Sequence, residues 1–146
     1  MVSFNKLSLY GLSFQLKVIN QLLLNKEFIL NIRDSIQEEY FDNQSLQWIV
    51  TQTLKYFDKY HTSPTLESLH IEVKKLENEI LKTSVIEQLR EAYKVDNNDD
   101  TYVREEFSNF CKNQQLKKAL LTSVELLNSG MYDDIRLLSD SALKAG

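Results

Sequence analysis

Turn-forming residues are nearly absent from this chain of 146 residues, which holds three glycines and a single proline. Tight hairpins need residues that tolerate positive φ or preset a turn. A hairpin-rich β fold is therefore excluded, and an all-α fold is expected. The glycines, Gly11, Gly130 and Gly146, are too scattered to build a phosphate-cradling loop of the G-x-x-x-x-G-K-[ST] or G-x-G-x-x-G type. One cysteine, Cys111, leaves no partner for an internal disulfide and suits a reducing compartment. The two histidines, His61 and His70, have no third ligand nearby in sequence, so no zinc site is expected. No apolar run approaches the ~20 residues that cross a bilayer. The first residues precede no signal-peptide core. The expected setting is cytoplasmic, with no membrane partner.

Charge of one sign is also missing where a nucleic-acid binder would need it. The net charge is −4. Residues 1–36 carry four basic and two acidic groups, residues 37–100 seven and thirteen, and residues 101–146 six of each. No cluster of Lys and Arg grips a phosphate backbone, so tight DNA binding by this chain alone is disfavoured.

What the chain does have is amphipathic periodicity. Apolar residues make up 42% of it, enough for a folded core. Leu12, Leu16, Ile19 and Leu23 lie on one face of a helix, with Ser13 as its expected N-cap. Asn25 breaks it, and a second helix follows with Phe28, Ile32 and Ile36. Glu38-Glu39-Tyr40-Phe41 is a short turn with two aromatics inward. Asp42 or Asn43 caps a third helix whose stripe is Leu46, Ile49, Val50, Thr53, Phe57 and Tyr60. Pro64 ends that helix, because the residue before a proline is pushed out of the helical region. Thr65 caps the next, with Leu66, Leu69, Val73 and Leu76 on its apolar face. Ile80 and Leu81 lead to another helix with Val85, Leu89 and Ala92.

The domain organisation expected is a globular helical bundle over 1–95, an acidic linker over 96–100 and a helical hairpin over 101–146. The linker is polar and acidic. A long helix then carries Val103, Phe107 and Phe110, a polar gap at Lys112-Asn113-Gln114-Gln115, and Leu116, Leu120, Val124 and Leu127. Gly130 is its expected C-terminal cap. A last helix starts at Asp133 or Asp134 and carries Ile135, Leu138 and Ala142. The hairpin's stripes need a surface to cover them, either the globule or another subunit.

No constellation reads as a catalytic site. Glu38 and Glu39 are adjacent, a poor arrangement for paired acid–base work. His61 sits at a helix C-terminus, where it has a structural reason to be. Nothing beside Cys111 in sequence would activate its thiol.

The order of motifs resembles one family. Leu22-Leu23-Leu24-Asn25-Lys26-Glu27-Phe28, then Glu39-Tyr40-Phe41, then Tyr60-His61-Thr62-Ser63-Pro64-Thr65 and Leu69 follow the pattern of the N-terminal domain of DnaB-type replicative helicases. The chain looks closest to those of T4-like phages. Gln114-Gln115-Leu116-Lys117-Lys118-Ala119-Leu120 and Leu126-Leu127-Asn128-Ser129-Gly130-Met131-Tyr132-Asp133-Asp134 resemble the family's helical hairpin. The resemblance covers most of residues 12–145. Residues 78–100 depart from it, being longer and more acidic than the family's connection, and no Walker A sequence occurs. The open end after Ala145 suggests the N-terminal piece of a longer protein.

The resemblance implies a collar domain: self-association into a ring, a hexamer in the full protein, with primase or a helicase loader docking on it. ATP, Mg and most contact with single-stranded DNA would belong to a motor domain downstream. The candidate subunit interface is Leu116, Leu120, Val124, Leu127, Ile135, Leu138 and Ala142. A stand-alone adaptor, such as a loader or inhibitor that mimics the collar, is the alternative. An enzyme with an unrecognised helical site is a third.

Overall fold

The computed structural model describes residues 6–129 and 132–144, with side chains described through residue 129 and again from residue 136. It is all-α, with no strand among the described residues. A 3-10 turn, Leu7–Tyr10, leads into α1, Gly11–Leu24. Then come α2, Lys26–Ile32, and a second 3-10 turn, Glu38–Tyr40. The long α3, Gln44–Tyr60, is followed by α4, Leu66–Lys74, and α5, Glu79–Lys94. The terminal pair is α6, Asp100–Asn128, and α7, Tyr132–Lys144.

Short polar side chains set most of the helix starts. The side-chain oxygens of Asn25, Asn43, Thr65 and Asn78 each accept from a backbone N–H in the following first turn. Asn43, not Asp42, therefore caps α3. Asp42 instead accepts from the Ser8 hydroxyl at 2.6 Å and from Gln15 Nε2 at 2.8 Å. Ser13 does not cap α1, because the helix already begins at Gly11, where the preceding turn hands over at φ 84°. At the Pro64 corner, α3 ends on His61 in the left-handed region, φ 60°, with its N–H bonded to the Phe57 carbonyl.

α1 runs through the centre and is buried more widely than one stripe. Leu16, Ile19 and Leu23 are buried as expected, but so are Gln15, Val18 and Leu22. Leu12 falls at the edge of this broad face and is exposed. Tyr60 and Leu66, expected in the core, are also exposed, since they flank the corner where α3 stops and α4 starts.

The first half of α6 belongs to the same core as α1 to α5. Val103, Phe107, Phe110 and Cys111 are buried in one cluster with Phe28, Phe41, Leu46 and Val85. The Phe107 ring lies 6.1 Å from Phe28 and 6.0 Å from Phe41, and Phe110 lies 5.1 Å from Tyr40. Lys17 pairs with Asp99 at 3.0 Å, tying α1 to the start of α6. The acidic stretch 96–100 thus joins helices that share one core.

A candidate interaction face on the helical hairpin

The polar gap at residues 112–115 marks where α6 leaves the core. Lys112 and Asn113 are exposed, while Gln115 donates to the Ser35 carbonyl at 3.4 Å. Tyr40 packs beside this point. Burial, the nearby Cys111 and Glu39 push its phenol up to about 12, against a smaller opposing pull from its hydrogen bond with Gln115.

Beyond the gap, α6 packs against α7. Small residues make the close side. Ala119 and Ala142 are buried, and Leu138 is half-buried. The Thr122 and Ser123 hydroxyls turn back onto the Lys118 and Ala119 carbonyls, at 2.9 and 2.7 Å. They present little bulk and no unpaired donor there. A cleft of about 380 Å3 lies where Asp34, after α2, faces Lys118, Leu138 and Lys144.

The outer side of α6 is apolar and uncovered. Leu120 is 56% exposed, Leu121 61%, Val124 57% and Leu127 51%. Their spacing puts them on one contiguous helical face rather than scattering them. Leu116 is half-buried at the head of this row. The seven residues expected at an interface are therefore split. Leu120, Val124 and Leu127 face out together. Leu138 and Ala142 turn inward, toward α6. Ile135 lies in α7, but its side chain is outside the described residues, as is Gly130, the expected cap. Leu121, Leu137 and Leu143 are exposed apolar residues that periodicity alone did not single out.

Glu38 accepts a hydrogen bond from the Thr51 hydroxyl. Arg33 grips Asp58 through two bonds of 2.7 and 2.6 Å. That hydrogen bonding holds the Asp58 carboxyl below its ordinary range. Burial pushes the Cys111 thiol far up, away from the reactive thiolate. Among the described residues, no three His, Cys, Asp or Glu side chains gather as metal ligands, and no helix is long and apolar enough to cross a membrane. What the hairpin face can do chemically is exclude water against another apolar surface. No family model, curated protein or solved structure matches this chain.

Proposed function

We propose that the chain is the N-terminal collar domain of a DnaB-type hexameric, ATP-dependent replicative DNA helicase, acting in DNA replication in a bacterial or phage-infected cytoplasm. In this reading the domain self-associates within the ring and offers a docking surface for primase or a loader. ATP, Mg and strand translocation belong to a motor domain outside these residues. The observation that carries the reading is the exposed row Leu120, Leu121, Val124 and Leu127 on the hairpin's outer face. The ordered motifs from Leu22 to Asp134 add the family resemblance.

Sedimentation velocity across a concentration series tests it. The wild-type chain should associate, and the double substitution Leu120→Asp with Val124→Asp should yield a monomer with unchanged helix content. A wild-type chain that stays monomeric at high concentration would sink the reading. Reading the coding sequence past Gly146 is a cheaper check, since a Walker A motif should follow. A stop codon there would turn the reading to a stand-alone adaptor.

A further inference from the structure

A groove between α4 and α5 lies apart from the hairpin face, and no residue of α6 or α7 lines it. It encloses about 350 Å3. Leu66, Val73, Ile86 and Leu89 supply its apolar lining, with the Tyr93 ring beside them. The remaining lining residues are His70, Arg90 and Lys94, so no carboxylate faces into it. Arg90 and Lys94 stand one helical turn apart on the same side of α5. Both are exposed, and neither makes an ion pair among the described residues. Glu67, Glu87 and Glu91 share these helices but do not line the groove. The setting sharpens the contrast, because residues 37–100 carry seven basic groups against thirteen acidic. Here the positive heads gather beside open apolar surface.

We propose that the α4–α5 groove docks an amphipathic helix of a partner protein, with aliphatic anchors on one face and carboxylates beside them. A helix laid in a groove presents anchors at i, i+3, i+4 and i+7. Carboxylates one turn apart on that helix would meet Arg90 and Lys94 as charge-assisted pairs. The volume is at the small end for a ligand pocket and suits a few anchoring side chains. A second copy of this chain is a poorer occupant. Its own open apolar face on α6 has the exposed Lys117 and Lys118 beside it and a single carboxylate, Glu125, so it offers no pair of carboxylates one turn apart to Arg90 and Lys94. The inference does not rest on the collar reading.

Three labelled synthetic peptides test it by fluorescence anisotropy. One is a helix former with leucines at anchor spacing and glutamates beside them. The second replaces each glutamate by lysine, and the third scrambles the first. The glutamate peptide should bind saturably and weaken with salt, and the lysine peptide should bind about tenfold more weakly or worse. The double variant R90E/K94E should reverse that order. Both positions are exposed, so circular dichroism should show the fold intact. Absence of saturable binding, equal binding of the scrambled peptide, or indifference to R90E/K94E would each overturn the proposal. So would a wild-type self-association that R90E/K94E abolishes, which would assign the groove to a second copy. The collar reading survives any of the peptide outcomes, because its test concerns Leu120 and Val124.

Discussion

Gln15 and Asp42 hold each other from both ends. The Gln15 carboxamide donates to the Asp42 carboxylate at 2.8 Å and accepts from the Asp42 backbone N–H at 3.0 Å. Gln15 is fully buried in α1, and Asp42 stands just before α3. The pair fixes how the loop after the Glu38–Tyr40 turn meets the central helix. It also explains why a glutamine interrupts the apolar face of α1.

Replacing Gln15 by Leu should therefore cost stability although it adds apolar surface. The Asp42 N–H and one of its carboxylate oxygens would lose the carboxamide, while the other oxygen keeps the Ser8 hydroxyl and Asp42 itself stays exposed. The expected loss is about 0.5–1.5 kcal/mol, read as a lower urea midpoint. A variant as stable as wild type would show that water replaces the carboxamide without penalty.

Phe107 belongs to the core rather than to the outer half of α6, and it is fully buried among Phe28, Phe41 and Phe110. Phe107→Ala should destabilise by about 3–5 kcal/mol. Trp48 is the single tryptophan and lies on α3, partly buried against the core. Its fluorescence and the far-ultraviolet dichroism should shift together to a lower midpoint. Separate transitions would mean that α6 unfolds independently of α1 to α5.

His61 occupies the left-handed region at φ 60°, where a Cβ is unfavourable. Replacement by Gly should stabilise the corner by about 0.5–1 kcal/mol once the extra freedom of Gly in the unfolded chain is counted. His61→Val should destabilise it. Thermal melts of the two variants should move in opposite directions, and a shared direction would refute the cap assignment.

The Arg33–Asp58 pair makes a pH signature. The folded-state pKa of Asp58 is depressed, chiefly by its hydrogen bonds with Arg33. Its contribution is present above the unfolded pKa and is lost as pH falls through the folded one. Both side chains are partly solvated, at 35% and 50% exposure. The contribution is therefore expected to be only about 0.5–1 kcal/mol and to shrink with salt. Asp58→Asn should be less stable than wild type at pH 7, and the gap should close as the solution is acidified through the carboxylate range. A gap that persists at the acid end would assign the effect to packing.

The helices themselves were legible in the chain because their causes are local. Asn43 and Thr65 cap through side chains within one turn of the groups they satisfy. Pro64 bars the helix from continuing, although α3 already stops on His61, three residues before it. Tyr40 and Phe41 face inward as the turn before Asn43 suggested. The stripe from Leu116 to Leu127 was equally plain, since it depends only on helical period.

Which side of a stripe meets protein and which meets water is another matter. Period relates a helix to itself and says nothing of what lies against it. Ala142 is expected at a subunit interface and Ala119 at none, yet both are buried where α7 approaches α6, and their small size is what lets the helices come close. The leucines beside Ala119 were thereby turned outward. The α4–α5 groove was hidden for the same reason, because Leu66 and Val73 shared a stripe that reads as core. Local chemistry thus set this protein's helices, caps and corners. Only tertiary packing decided that Phe107 completes the bundle, that Leu120 and Val124 remain open, and that Arg90 and Lys94 stand at the rim of an apolar groove. Burial is a property of neighbours brought together across the fold.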